Sequence, residues 1–249
     1  MSGRTLTATS MAFTDQRRRP LVLILLVIVP AYVITRSIAI TQATPRQIGL
    51  PGDLVVTTTM KALHGAVMAG ITIAFVAALC GVFVMQAALQ GDRRLVIAGF
   101  RPGETVVARL TVLAAATALV VIVSMGVTAV SFTPASWSPF ISAALLTGLI
   151  YAALGALAGA LLDKLAATYL LLFLVLTDLG IAQNPMFGDG SSPSWATLLP
   201  GYGPGRVMVD GAFSPGFHAA GPLAIALSWT VALTLTVGFA LRRAVGTRI

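Results

Sequence analysis

Apolar residues in this chain fall into long unbroken runs, with neither helical nor alternating spacing. The runs cover roughly residues 20–40, 62–86, 108–132, 139–162, 165–182 and 220–241. Each reaches about 18 residues or more, the length that crosses the hydrocarbon core of a bilayer as a helix. In lipid every backbone donor must be satisfied within its own segment, so continuous runs predict helices and not strands. The expected fold is therefore all-α and integral to a membrane, with six transmembrane helices in one domain. Asp163 and Lys164 alone separate the fourth run from the fifth.

The polar stretches between the runs set the remaining expectations. Residues 1–19 form a Thr-rich tail ending in Arg17, Arg18 and Arg19. It reads either as a frayed tail with a basic stop or as a short helix lying on the membrane surface. The run that follows is too long for the apolar part of a signal peptide and ends without a small-residue cleavage site, so it reads as a retained helix. Residues 41–59 read as a loop, with Pro45, Gly49, Pro51 and Gly52. The segment from about 183 to 219 is rich in Pro and Gly, yet it holds Trp195, Leu199, Tyr202 and Met208. Long structureless loops are uncommon unless functional or disordered, and these apolar side chains argue against disorder. One or two short helices dipping into the outer leaflet are expected, forming a re-entrant cap; an ordinary exposed loop is the competing reading.

The segment 91–109, GDRRLVIAGFRPGETVVAR, is a charged island in this apolar chain. Asp92 is placed to cap a short helix running to about residue 98, with Arg93 and Arg94 at its start and Leu95 in its apolar middle. Gly99 would end that helix in a left-handed conformation, and Pro102 would block its continuation. Phe100 and Arg101 would mark its exit. Glu104 then falls in the first turn of the third span, where negative charge suits the helix dipole. A basic rim around an apolar centre makes a modest docking surface; a loop binding anionic headgroups is the plainer alternative.

Charge gives the orientation. Of the 16 Lys and Arg, Arg36, Arg46, Lys61 and Arg206 fall on one side and the remainder on the other. By the positive-inside rule both termini and the 91–104 segment face the cytoplasm. The net charge of +8 is then explained by topology and anionic lipid, and no nucleic-acid partner is needed. With 57% hydrophobic and 10% charged residues and a mean hydropathy of +0.93, an ordinary soluble fold is excluded. The single cysteine, Cys80, permits no intrachain disulfide.

Candidate chemistry is sparse. No GxxxxGK[ST] loop is present to cradle phosphates, and neither HExxH nor CxxC occurs. His64 and His218 are far apart in sequence and read as solvated interfacial residues. Asp210-Gly211 superficially matches part of an alcohol-phosphotransferase motif whose other members are missing. The expectation is a non-enzymatic chain that binds no cofactor or metal. Charges inside spans are costly and usually functional or paired. Arg36 and Asp178 lie at similar depth near the outer ends of the first and fifth spans, so an interhelical ion pair and independent snorkelling both fit. In the fourth span Gly148, Ala152, Gly155 and Gly159 form a small-residue stripe of the kind that lets helix backbones approach closely.

Six spans, cytoplasmic termini, a charged element between the second and third, and a Pro/Gly-rich outer loop between the fifth and sixth resemble the exporter-type ABC transporter permeases. RRLVIAGFRPGETVVARL is similar to the loop of the daunorubicin-resistance-like drug export family. The resemblance in layout spans nearly the whole chain, and in motif about 20 residues. It implies a coupling helix at 92–101 seated on a separate ATP-binding subunit, with ATP and magnesium held by that partner. It also implies a cap at 195–210 and a second permease chain, identical or not, in the cell membrane. The cargo expected is an apolar or amphipathic small molecule or lipid. An ATP-independent secondary transporter or membrane scaffold is the alternative.

Overall fold

The computed structural model describes residues 7, 9–11, 14, 20–52, 54–97, 99–187 and 193–246. Among the described residues six long helices carry the fold. They are α1 (Pro20–Ile40), α2 (Met60–Ile97), α3 (Pro102–Ser131), α4 (Trp137–Leu161), α5 (Lys164–Val175, continued by a π-helical turn Leu176–Ala182) and, last in the chain, α7 (Ala220–Gly246). A short helix, α6 (Tyr202–Phe213), lies between α5 and α7 and is preceded by a 3-10 turn, Ser194–Leu198. Among the described residues five helices are long and apolar enough to cross a membrane, as a multi-pass membrane protein requires. In the first run, Leu26–Ile40 is the apolar helical stretch, shorter than those five.

Burial sorts the helices into centre and rim. The apolar window of α2 is 83% buried, whereas that of α7 is 17% buried. One core joins α2, α4, α5 and α7 through Ala78, Val82, Ile150, Tyr151, Leu171 and Val237. A second joins α1, α2, α3, α4 and α6 through Ile34, Ile73, Val120, Phe140 and Val207.

Glycines allow the central pair to touch. A methyl group on Gly155 would overlap the Ala78 carbonyl, and one on Gly81 would overlap the Ala152 carbonyl. At Gly159 it would stand 3.0 Å from the Val82 backbone, and at Gly148 2.5 Å from the Thr117 side chain. The small-residue stripe of α4 thus packs against α2 and α3 of the same chain. Close backbone approach of this kind substitutes van der Waals contact for the hydrophobic effect, which is absent between helices in lipid.

Residues 41–59, expected as a loop, instead hold a β-hairpin of β1 (Pro45–Leu50) and β2 (Leu54–Thr59), paired antiparallel from Pro45↔Thr59 to Leu50↔Leu54. The LVVTTT run is rich in β-branched residues, which suit a pleated, half-buried surface. Pro51 and Gly52 make the turn, with Gly52 at φ +79° in the left-handed region that glycine tolerates. Ile48 and Leu50 bury against Leu63 and Val209. The hairpin therefore sits at the α6 end of the bundle, where Arg46 also donates to the Met186 carbonyl at 3.2 Å.

Candidate functional site

Two places bring together the chemistry singled out in the sequence, and they lie at opposite ends of the helices. The first is the α2–α3 junction. The separate stub helix expected at residues 92–98 is not formed, because α2 runs on through the charged segment to Ile97. Only Gly91 interrupts its helix-forming residues there, and one interior glycine costs about 1 kcal/mol, too little to break the ladder. Asp92 is consequently an interior helix residue and no N-cap. The side chains of Asp92, Arg93 and Arg94 lie outside the described residues, as does Ala98.

The end of that helix follows the expectation. Gly99 adopts φ +92°, and the Phe100 N–H donates to the Leu95 carbonyl at 3.1 Å. Pro102 opens α3 with its missing N–H at a position that needs none. The Glu104 carboxylate accepts from the Arg101 N–H at 2.9 Å, fastening the first turn. Leu95, Phe100 and Glu104 are half-buried, and Arg101 is exposed. The result is an elbow with the exposed Arg101 and the half-buried Leu95 and Phe100 at its tip.

The second place is built around Asp178 at the other end. Asp178 is 1% exposed and lies in the π-helical turn, where the Gln183 N–H donates to its backbone carbonyl at 2.9 Å. π-turns are rare and concentrate at functional positions. The Asp178 Oδ2 accepts from the Tyr151 hydroxyl at 2.6 Å and from the Gly201 N–H at 2.8 Å. Gln183 Nε2 donates to the Ala196 carbonyl at 2.7 Å. One turn of chain thereby ties α4, the 3-10 turn and the start of α6 together. Of the two readings left open for Arg36 and Asp178, the ion pair is not formed: the carboxylate takes its partners from α4 and Gly201, while Arg36 stands exposed on α1. Similar depth placed the two residues on one level but not on facing sides.

The far end of α6 is held by a second buried carboxylate. Asp210, wholly buried, accepts from the His218 N–H at 2.8 Å. The His218 ring Nδ1 is 3.5 Å from Asp210 Oδ1 and 3.1 Å from the Ser214 hydroxyl. His218 is thus no isolated interfacial residue. The Ala135 and Ser136 N–H groups donate to the Ala212 and Gly211 carbonyls at 3.0 and 2.8 Å. Gly203 and Gly211 press against the backbones of α7 and α4, where a methyl group would stand 2.6 Å from the Pro222 carbonyl and the Phe140 nitrogen respectively. Of the apolar residues expected in this segment, Met208 is buried, Leu199 and Tyr202 are half-buried, and Trp195 is exposed. Beneath α6 lies a cavity of about 30 Å³ bordered by Gly70, Thr147, Leu179, Gln183, Gly205 and Met208.

Tyr151, Gln183, Gly201 and the Asp210–His218 pair were missed by sequence reasoning. A lone tyrosine inside the small-residue α4, in GLIYAALG, is the one signal that pointed to a buried polar contact. Among the described residues no three His, Cys, Asp or Glu side chains are grouped to hold a metal ion. No protein-family model matches the chain, and no curated protein matches it in sequence.

Proposed function

We propose that this protein is the membrane-spanning permease subunit of an ATP-driven exporter, working as a pair of permease chains with two separate ATP-binding chains in the cell membrane. The observation that carries the reading is the elbow at residues 91–104. It continues the most buried helix of the bundle past its apolar window, Met60–Ala88, and ends in a basic, partly apolar tip. A push on that tip is transmitted along α2 to the close-packed α2–α4 contact. From there it reaches Tyr151, about one turn along α4 from Gly155, whose hydroxyl meets Asp178. Rigid packed helices with two discrete arrangements are the usual carriers of such coupling.

Three further features support the reading. The chain has no phosphate-cradling loop, so energy from ATP must enter through another protein. The distribution of Lys and Arg puts the elbow on the cytoplasmic side, and the hairpin with α6 on the outer side as a re-entrant cap. All six apolar runs are read as spans, the first completed by residues 20–25 of α1. The cargo proposed is an apolar or amphipathic small molecule or lipid, since the spans offer few charged groups.

Purification of the full chain from its native membrane in mild detergent tests the assignment. The expected result is a stoichiometric Walker-motif protein in the same peak, with ATP hydrolysis that depends on both chains. Isolation of the chain without any such partner, under conditions that preserve its helices, contradicts it.

A further inference from the structure

The short helix α6 is held on the bundle at both ends by buried carboxylates of different character. At its C-terminal end Asp210 accepts from the His218 N–H, and the His218 ring Nδ1 stands 3.5 Å from Asp210 Oδ1. Two more backbone bonds link Gly211 and Ala212 to the α3–α4 turn. At its N-terminal end the hold is narrower. A single oxygen, Oδ2 of Asp178, accepts both the Tyr151 hydroxyl and the Gly201 N–H. The carboxylate is buried and sits in a π-helical turn. Gly201 is required for the approach, because a methyl group at that position would stand 2.7 Å from Oδ1.

The cavity below α6, about 30 Å³, holds no drug-sized molecule; such sites run to roughly 300–1,000 Å³. Passage of any cargo here requires α6 to move. We infer that Asp178 and Tyr151 are positioning residues that latch α6 shut over the cavity, and that α6 opens from its Gly201 end while the Asp210–His218 end acts as the hinge. As the gate of an export path the inference rests on the transporter reading; as a mechanical property of α6 it stands alone.

Cysteine accessibility tests it in membrane vesicles holding the full chain. The native Cys80 is 1% exposed, so it gives little background to a water-soluble maleimide. Met208→Cys places a probe under α6 beside the cavity, Ala212→Cys places one at the hinge, and Trp195→Cys is an exposed reference. In the parent chain the Met208→Cys probe should label slowly. Tyr151→Phe, which removes a hydrogen bond to the carboxylate, and Gly201→Ala, whose methyl group would displace it, should each speed its labelling roughly ten-fold or more, and Asp178→Asn should act in the same direction. The Ala212→Cys and Trp195→Cys rates should stay as they were. Unchanged Met208→Cys labelling in Tyr151→Phe and Gly201→Ala overturns the latch, and so does a parallel rise at Ala212→Cys in those variants. The labelling needs no ATPase, so co-purification on the same membranes tests the transporter reading separately.

Discussion

Gly155 of α4 decides how closely the two central helices approach, because its missing side chain leaves room for the Ala78 carbonyl. Gly155→Ala should lower stability by about 1–3 kcal/mol through overpacking, read as a lower midpoint of thermal unfolding in detergent. Gly126→Ala, where nothing lies within 4 Å of the added methyl group, should leave the midpoint in place or raise it. At this scale the sequence was partly legible. A stripe of small residues three or four positions apart announces a helix contact, and Gly148, Ala152, Gly155 and Gly159 form one. Their counterpart Gly81 on α2 also has small residues at that spacing, Ala74, Ala77 and Ala78. Asp178 was conspicuous as an acid in an apolar run. Its partners depend on how α4 and the chain before α6 are brought together in three dimensions, which neither depth nor spacing discloses; hence Arg36 could be named only as a possible partner, and Tyr151 is the one found.

Helices were legible as elements because lipid leaves a continuous apolar run no alternative. Boundaries were legible where a residue physically ends a helix. Gly99 and Pro102 close α2 and open α3 as their chemistry requires, whereas Asp92 can cap a helix but cannot start one in the middle of an unbroken ladder. The β-hairpin was hidden for the opposite reason: flanking Pro and Gly suggested a loop, and only Ile48 and Leu50 of β1 are buried, too few for an alternating pattern to show. The left-handed Gly99, at φ +92°, sets the angle of the elbow. Gly99→Ala should introduce strain of roughly 1–2 kcal/mol. The expected outcome is weaker retention of the ATP-binding partner in pull-downs, with the unfolding midpoint shifted by only a few degrees.

As a whole, the molecule is a bundle with two dissimilar ends. One carries the basic elbow; the other carries a hairpin, a 3-10 turn and α6 packed over a small cavity. The central claim is that the elbow receives force from a separate ATPase. Replacing Arg93, Arg94 and Phe100 together with alanine removes two basic groups and the aromatic group of the 91–104 segment while leaving α4, α6 and the cavity unaltered in sequence. Co-purification of the Walker-motif partner with this variant, in membranes where the parent chain retains it, is the most direct measurement. Loss of the partner with an unchanged unfolding midpoint is the predicted result. A complex that survives the triple replacement would contradict the account.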